Sequence, residues 1–317
     1  MIRAEGLTKS YGEGIPAVRG VDLTVPEGEL CVLLGPSGCG KSTLLRLINA
    51  LTPADSGTVT VNGRDVRNTP PELLRRGIGY VVQNVGLFPH YTVRRNIAVV
   101  PELLKWKKPD IQKRTAFLME LTGLPQKYLD KYPFELSGGE AQRVGVARAL
   151  AADPPILLMD EPFGSVDPLN RERLQRSFLN IHRTLKKTVL FVTHDVSEAL
   201  TMGDRILLMR EGQIVRSGTP REMVFGEGDA FSKEFFGAEM ALKLLSRHRA
   251  REACVPGSAE GKPGCAVSAD LPLSEALAMM LVKGCDRLAV TQDGDITGVL
   301  DFDSLLRFFR EGGQNDG

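Results

Sequence analysis

The fold of this chain is constrained most strongly by one glycine-rich stretch, Gly35-Pro-Ser-Gly-Cys-Gly-Lys-Ser-Thr43. It separates an apolar run at 30–34, which predicts a buried strand, from a helical pattern at 44–48. The glycines let backbone N–H groups turn toward a phosphate, and the N-terminus of the following helix contributes a positive dipole end. The stretch therefore predicts a phosphate-binding loop, in which Lys41 reaches the β- and γ-phosphates of a nucleotide and the Ser42 hydroxyl binds Mg²⁺.

A second apolar run, at 156–159, ends in the acid pair Asp160 and Glu161. Such a run suits a strand that is buried on both faces of a parallel sheet. Acids at the carboxyl end of such a strand lie beside the crevice where ligands bind. Asp160 is therefore predicted to hold Mg²⁺ and Glu161 to polarise an attacking water. Taken alone, the acid pair would serve equally well as a helix cap or a turn.

Two further stretches carry a family resemblance. Leu136-Ser-Gly-Gly-Glu140 precedes a helical pattern at 141–150 and resembles the signature motif of ATP-binding cassette (ABC) proteins. The Ser137 hydroxyl and the two glycines after it permit close approach to a phosphate at a second helix N-terminus. The apolar run at 189–193 ends at His194, and in the family the matching histidine contacts the γ-phosphate. The order of these motifs along the chain argues against a purely structural role for this histidine.

The resemblance extends to single positions. Tyr11 matches the aromatic residue that stacks on adenine, and Gln83 matches the glutamine that touches Mg²⁺ and the attacking water. Asp167 belongs to the loop that crosses the dimer interface in the family. The residues that the resemblance assigns to ATP are Tyr11, Gly35, Pro36, Ser37, Gly38, Cys39, Gly40, Lys41, Ser42, Thr43, Gln83, Ser137, Gly138, Gly139, Asp160, Asp167 and His194. Those assigned to catalysis are Lys41, Gln83, Glu161 and His194, and those assigned to Mg²⁺ are Ser42, Gln83 and Asp160.

This resemblance implies an α/β fold, a P-loop NTPase of ABC type. The cassette, at residues 1–237, should contain a mostly parallel core sheet, an antiparallel β subdomain and a helical subdomain at about 84–155. One chain carries one phosphate loop and one signature, and in the family the signature of one cassette closes over the ATP of another. The resemblance therefore implies an active ATPase that works as a head-to-tail dimer of two copies of this chain.

The spacing of apolar residues between 84 and 132 predicts a helical insert. In the family this subdomain docks a membrane permease, which would place Phe88, Pro89 and His90 in the groove for the permease. Ordinary packing of Phe88 inside the insert is an equal alternative. Phrases such as Gly86-Leu-Phe-Pro-His90 resemble the ATPase subunits of importers of quaternary amine osmoprotectants, such as glycine betaine, choline and carnitine. The resemblance implies a peripheral position at the cytoplasmic face of the cell (inner) membrane, beside a permease and, indirectly, a substrate-binding protein.

Composition favours a soluble motor over a membrane-spanning chain. No apolar run approaches the ~18–20 residues of a transmembrane helix, and the start at Met1 lacks a signal-peptide pattern. A net charge of +1 argues against a dedicated nucleic-acid surface. The 5 cysteines, odd in number and without metal-type spacing, favour a reducing cytosol. One of them, Cys39, lies inside the phosphate loop, where we expect N–H dipoles to lower the pKa of its thiol.

The C-terminal part of the chain predicts a regulatory segment. Residues 238–264 comprise a helix at about 241–251, which ends in the basic run Arg247-His-Arg-Ala-Arg251, and a Gly/Pro-rich linker. The arginines are predicted either to be solvated or to touch anionic lipid. Residues 265–312 predict helix, strand, turn, strand and helix, an order that resembles one CBS (cystathionine-β-synthase) regulatory motif. The resemblance implies that this motif pairs with its counterpart in the second copy of the dimer.

Three other functions would account for parts of this sequence. An ABC importer for another small solute, such as methionine, proline or a sugar, would share every catalytic motif, although the CBS-like tail argues against it. A non-transport ABC ATPase that acts in DNA repair or on the ribosome would show a long coiled coil or two cassettes in one chain. A module that binds nucleotide without hydrolysis would lack Glu161 or His194, so the presence of both favours hydrolysis.

Overall fold

The computed structural model describes residues 1–12, 15–83, 86–164, 166–236, 240, 244–255 and 265–311. The chain divides into two compact units. One comprises Met1–Asp195 and Met202–Ser217, and the other comprises Val196–Thr201 and the chain from Gly218 onward. The domain bounds predicted from the sequence, 1–237, 238–264 and 265–312, stay a prediction.

The first unit contains an antiparallel sheet of four strands in the order β2-β1-β4-β5. Its strands are β1 (Ile2–Tyr11), β2 (Ile15–Val25), β4 (Ser56–Val61) and β5 (Arg64–Asp65). Side chains alternate in β1, where Ile2 and Ala4 are buried and their neighbours are exposed, because successive residues of a strand point to opposite faces. The buried face joins one apolar core with the larger sheet of the same unit.

The larger sheet has six strands in the order β10-β9-β3-β8-β7-β6. They are β3 (Leu30–Leu34), β6 (Ile78–Val81), β7 (Ile156–Asp160), β8 (Thr188–Thr193), β9 (Arg205–Arg210) and β10 (Gln213–Gly218). The strands from β9 to β6 pair in parallel. Every residue of β3, β7 and β8 is buried, which explains why these strands read as continuous apolar runs. Because the strands are parallel, the residues that follow β3, β6, β7 and β8 meet at one edge of the sheet.

The helices of the first unit are α1 (Lys41–Ile48), α2 (Pro71–Arg76), α3 (Val93–Leu103), α4 (Lys108–Leu121), α5 (Gly138–Leu150) and α6 (Pro168–Leu185), with short 3₁₀ turns at Gln126–Tyr128 and Pro133–Glu135. Of these, α3 and α4 lie within the segment 84–132, where the sequence predicts a helical insert. Helices α3 and α4 both pack against α5, so the insert is held to the helix that follows the Ser137 stretch. Among the described residues, no helix combines the length and the hydrophobicity needed to cross a bilayer.

The second unit follows the predicted order of elements from residue 273 onward. Its helices are α7 (Val196–Met202, of which the last residue belongs to the first unit), α8 (Pro220–Phe225), α9 (Ala230–Phe236), α10 (Ala250–Ala253), α11 (Leu273–Lys283) and α12 (Phe302–Glu311). Its strands are β11 (Ala266–Ser268), β12 (Arg287–Gln292) and β13 (Asp295–Asp301), in the order β11-β12-β13. Strand β11 pairs with β12 in parallel, and β13 pairs with β12 antiparallel.

The basic run near residue 250 differs from its prediction. A turn interrupts the expected helix before Arg249, which forms a bridge with Pro272, and α10 begins only after it. Arg247 donates a hydrogen bond to the carbonyl of Leu200 at 2.9 Å, and the Arg251 guanidinium pairs with an Asp270 carboxylate. Both side chains therefore have partners within the protein, although the Arg251 side chain stays 55 % exposed, and contact of this run with lipid stays a prediction. Residues 241–243 and 256–264, with most of the predicted linker, lie outside the described residues.

Candidate nucleotide-binding site

The predicted phosphate loop lies between β3 and α1, at the edge of the six-stranded sheet. Gly40 caps α1 in the left-handed region at φ 110°, and a Cβ there would overlap the carbonyl oxygen of Ala17. Only glycine satisfies both conditions. Because α1 starts at Lys41, the first N–H groups of the helix open onto the loop and are available to an anion.

Lys41 is drawn into the loop. Its side chain is 5 % exposed, and its ammonium donates hydrogen bonds to the carbonyls of Gly35 at 2.7 Å and Pro36 at 2.9 Å. These carbonyls hold the charge beside the loop N–H groups. A phosphate oxygen that enters the loop would therefore replace the carbonyls of Gly35 and Pro36 as the hydrogen-bond acceptor of Lys41. The ammonium is already buried beside the loop, so it would need only a small movement.

The Cys39 thiol does not behave as the sequence led us to expect. Burial raises the pKa of this thiol, and the nearby Lys41 charge and hydrogen bonds offset the effect only in part. The Lys41 ammonium lies 3.9 Å from the sulfur. The predicted lowering of the pKa is wrong, because the loss of hydration on burial outweighs the loop dipoles.

Asp160 and Ser42 meet at the end of β7. The Ser42 hydroxyl donates to a carboxylate oxygen of Asp160 at 3.0 Å. Burial raises the pKa of Asp160, the Ser42 hydrogen bond lowers it, and the Glu161 charge raises it further. A hydroxyl and a desolvated carboxylate side by side are the hard oxygen donors that Mg²⁺ prefers, so these residues fit the predicted metal.

One carboxylate oxygen of Glu161 contacts two of the other predicted catalytic side chains. Its Oε2 accepts a hydrogen bond from Gln83 Nε2 at 3.2 Å and lies 3.1 Å from His194 Nδ1. A carboxylate only accepts, so this contact assigns a proton to Nδ1 of His194. The three residues follow β7, β6 and β8 respectively, and they meet because those strands are parallel neighbours.

The backbone of Glu161 is also constrained. Its φ is +43°, in the left-handed region, and its N–H donates to the carbonyl of Val192 at 3.0 Å. For a glutamate this conformation costs about 1–2 kcal/mol. The fold therefore turns the chain sharply after β7, and the turn brings the carboxylate to Gln83 and His194 while Asp160 stays beside Ser42.

The signature stretch forms a helix cap and has open space around its glycines. The Ser137 N–H donates to a Glu140 carboxylate oxygen at 2.8 Å, and the Glu140 N–H donates to the Ser137 hydroxyl at 3.3 Å. This bond to the Ser137 backbone lowers the pKa of Glu140. Among the described residues, a Cβ at Gly138 would meet nothing within 4 Å, and a Cβ at Gly139 would meet only Leu174 at 3.8 Å.

The remaining predicted residues lie at the ends of other elements, β1, α5 and α6. Tyr11 ends β1 with a ring that is 43 % exposed, as stacking on a base requires. Asp167 caps α6 by accepting from the Asn170 N–H at 3.1 Å, so it has a structural partner of its own. In the described part of the chain, no hydrogen bond joins residues 137–139 to the phosphate loop. Ser165 lies outside the described residues.

Sequence reasoning gave no role to two polar side chains that hold the loop around Phe88. Asn96 is fully buried, accepts from the Phe88 N–H at 2.9 Å and donates to the carbonyls of Phe88 and Tyr91 at 3.2 and 3.0 Å. Arg148, on α5, donates to the carbonyl of Gly86 at 2.7 Å and lies over the Phe88 ring. Burial lowers the pKa of this arginine. The loop that follows Gln83 is thus bonded to the helix that follows Ser137.

Comparison with known proteins places this arrangement in a family. The ABC transporter family profile matches residues 18–164. The osmoprotectant import ATP-binding protein OsmV of Salmonella typhimurium is 47% identical over 285 residues, which are 88% of this chain and 73% of that protein. The chain belongs to the ABC transporter family. The glycine betaine/carnitine/choline transport ATP-binding protein OpuCA of Bacillus subtilis is 43% identical over 290 residues, 92% of this chain and 75% of that protein.

A solved ABC cassette has the same fold. A dimeric ATP-binding cassette in a post-hydrolysis state, bound to ADP and Pi, is 31% identical with a TM-score of 0.63, and it covers 72% of this chain and 100% of its own. The predicted fold, a P-loop NTPase of ABC type with mixed α/β sheets, is confirmed. As an ABC transporter ATP-binding subunit the chain is an ATPase, and its cassette binds ATP. The roles assigned to single residues stay predictions.

Proposed function

We propose that this chain is the ATP-hydrolysing subunit of an ABC importer that takes up quaternary amine osmoprotectants through a separate membrane permease. One observation carries the proposal: the similarity to osmoprotectant and glycine betaine/carnitine/choline ATP-binding proteins runs over 88–92% of the chain. A match of that length extends beyond the catalytic motifs, which end near His194 and which all ABC ATPases share. The cargo class is therefore argued from the whole chain, because the ATPase itself does not touch the cargo.

In this proposal the phosphate loop binds the nucleotide. The loop N–H groups and the Lys41 ammonium hold the β- and γ-phosphates, and they meet the charge that spreads over the phosphoryl oxygens during transfer. Tyr11 stacks on the adenine. Ser42 and Asp160, with Gln83, would hold Mg²⁺, which neutralises phosphate charge when it is bound.

The cluster around Glu161 supports a hydrolytic role. The carboxylate orients a water for in-line attack and takes its proton, Gln83 positions that water, and His194 contacts the γ-phosphate. The contacts of Gln83 and His194 with one carboxylate oxygen support this assignment, because they fix its direction before the nucleotide arrives.

A second copy of the chain completes the site in this proposal. The hydroxyl of Ser137 and the open faces of Gly138 and Gly139 offer a phosphate-binding surface at the N-terminus of α5. Within the part of the chain that the structure describes, no hydrogen bond joins that surface to the phosphate loop of its own chain. A head-to-tail dimer would bring it to the γ-phosphate of the partner, with Asp167 near the interface, and hydrolysis would then release the two halves.

The permease contact is proposed for the loop around Phe88. The Phe88 ring is 41 % exposed, although the backbone of the loop is fixed. Asn96 accepts from the Phe88 N–H, and Arg148 donates to the carbonyl of Gly86. A rigid loop with an exposed aromatic ring, together with Pro89 and His90, suits a groove for a partner. This contact would hold the chain at the cytoplasmic face of the inner membrane, beside a permease that receives its cargo from a binding protein on the opposite face.

The tail is proposed to regulate transport. Residues 265–312 would form one CBS-like motif, preceded by a connecting segment at 238–264 and by the cassette at 1–237. The small sheet β11-β12-β13 shares one apolar core with α11 and α12, and the same core includes Leu244, Leu245, Ala250 and Ala253 of the connecting segment.

Reconstitution in liposomes with the cognate permease and binding protein tests the function. ATPase activity is recorded with glycine betaine, choline, carnitine, methionine, proline and maltose. Stimulation by a quaternary amine, absent in Glu161→Gln and retained in the exposed control Glu120→Gln, is the expected result. Stimulation only by another solute would contradict the proposed cargo class, and the proposed mechanism of ATP hydrolysis would be unaffected.

A further inference from the structure

Two cysteines of the second unit are brought together by the topology of its small sheet. Cys265 directly precedes β11, and Cys285 lies between Gly284, the C-cap of α11, and β12. Strands β11 and β12 are parallel neighbours with Ala266 opposite Ala289. The N–H of Ala289 donates to the carbonyl of Cys265 at 3.0 Å, which fixes the backbone of the first cysteine beside the second strand.

The side chains of the two cysteines are neighbours. Their thiols lie near enough to interact electrostatically, and both pack against the apolar core of this unit while they stay partly exposed. The Cys285 N–H is also anchored, because it donates to the carbonyl of Met280 at 3.1 Å. Partial burial and the neighbouring Cys265 thiol raise the pKa of the Cys285 thiol. Two anchored, partly exposed and neighbouring thiols suit a disulfide, in which side-chain rotation brings the sulfurs to about 2.0 Å.

We propose that Cys265 and Cys285 form a redox modification site, a dithiol that closes to an intramolecular disulfide by exchange with small disulfides. One cysteine, as its thiolate, attacks a small disulfide RSSR and releases one RSH after proton uptake, which leaves a mixed disulfide. The second cysteine attacks the protein sulfur of that bond and releases the second RSH. The protein loses two protons and two electrons, and RSSR gains both as it becomes two RSH.

The bond would constrain the tail. It closes a loop that contains β11 and α11, and it ties the start of β11 to the turn between α11 and β12. A cross-link of this kind lowers the freedom of the unfolded chain, so the oxidised tail should unfold at a higher temperature than the reduced one. Exposed disulfides of this type are the labile ones, which suits a reversible modification in a reducing compartment.

The full chain is equilibrated in buffers of stepped reduced-to-oxidised glutathione ratio, quenched with acid, and alkylated under denaturing conditions. The expected result is a fall from the 5 free thiols of the reduced chain to three, reversed by excess dithiothreitol. Because Lys262 precedes Pro263, trypsin leaves residues 252–283 as one peptide, and the disulfide should join it to the peptide 284–287. This readout uses the wild-type chain and does not depend on any variant folding.

Single serine variants decide which cysteines are joined. The peptide 252–283 also contains Cys254, so Cys254→Ser is the matched control and should keep the link, while Cys265→Ser and Cys285→Ser should lose it. Five thiols at every glutathione ratio, a link that survives in Cys265→Ser, or a link between two chains would each overturn the proposal. ATPase activity of the reduced variants should stay within about twofold of the wild type, since the dithiol lies outside the site described above.

Discussion

Oε2 of Glu161 lies 3.1 Å from Nδ1 of His194, so the carboxylate proposed to activate water and the histidine proposed to contact the γ-phosphate are held by one interaction. Gln83 donates to the same oxygen at 3.2 Å. The carboxylate holds the Nδ1 side of the imidazole, and the two donors, Gln83 and His194, fix the direction of the carboxylate. The three side chains therefore act as one unit, and the loss of one member should disturb the others.

The His194→Ala variant tests this coupling. We expect ATP turnover to fall at least about 100-fold, because the change removes both a γ-phosphate contact and a donor that orients Glu161. ATP affinity should change little, because the phosphate loop and Tyr11 remain. Turnover is measured by phosphate release and affinity by equilibrium binding. Since the residues act together, His194→Ala/Glu161→Gln should be hardly slower than the slower single variant, and additive losses would contradict the coupling.

Asp160 should make the nucleotide-free protein less stable at neutral pH. Its pKa is raised in the folded protein, mainly by burial, so the folded state favours the protonated carboxyl. That contribution to stability is fully present below the ordinary carboxyl pKa of about 4 and is lost as the pH rises through the raised value. Asp160→Asn cannot ionise, and it should therefore melt above the wild type at neutral pH, with a difference that shrinks toward pH ~4.

The measurement for Asp160→Asn is a set of thermal melts across this pH range without nucleotide. Mg²⁺-dependent ATP binding, measured at neutral pH, should weaken in the same variant, because a charged ligand of the cation is lost. A melting difference that stays flat with pH would contradict the argument. The exposed control Asp110→Asn should shift neither quantity.

Much of the fold could be predicted from apolar runs. Strand β3 has the predicted bounds, and β7 and β8 agree within a residue, because strands buried on both faces read as continuous apolar segments. Strand β11 could not be predicted, since Ala266–Ser268 is too short to show a period. The break before Arg249 was missed because the run 241–251 is helical in composition, and tertiary contacts of Arg247 and Arg251 decide its path.

The candidate site was predicted unevenly. The carboxyl ends of parallel strands meet, so Gln83, Glu161 and His194 could be placed together from the order of the motifs. The burial of Cys39 could not be predicted, because the pKa of a loop thiol depends on how the loop closes. Asn96 carried no signal either, since one polar residue in a helical pattern reads as solvated.

Arg148 connects the signature helix to the loop that follows Gln83. Its guanidinium donates to the Gly86 carbonyl at 2.7 Å and lies over the Phe88 ring. In Arg148→Ala we expect the basal ATPase activity to stay within about threefold, while stimulation by the permease is largely lost. The free energy of unfolding should fall by about 1–3 kcal/mol, because a charge-assisted hydrogen bond is removed.

The measurement for Arg148→Ala compares ATPase activity of the isolated chain with that of the reconstituted transporter. Arg183→Ala, an exposed arginine on α6, is the matched control and should leave both unchanged. If the variant keeps full stimulation by the permease, the connection between α5 and the Phe88 loop has no part in coupling.

Asn96 should fix the shape of the Phe88 loop more than any charged group does. It is fully buried, and its amide accepts from the Phe88 N–H and donates to carbonyls of the same loop. In Asn96→Ala those buried groups lose their partner, so the free energy of unfolding should fall by about 1–3 kcal/mol. Hydrogen exchange at the Phe88 amide should accelerate at least about fivefold, because the loop opens without global unfolding. The exposed control Asn180→Ala should change neither value. An unchanged exchange rate at Phe88 in Asn96→Ala would mean that the turn holds its own shape, and that the buried amide only fills space.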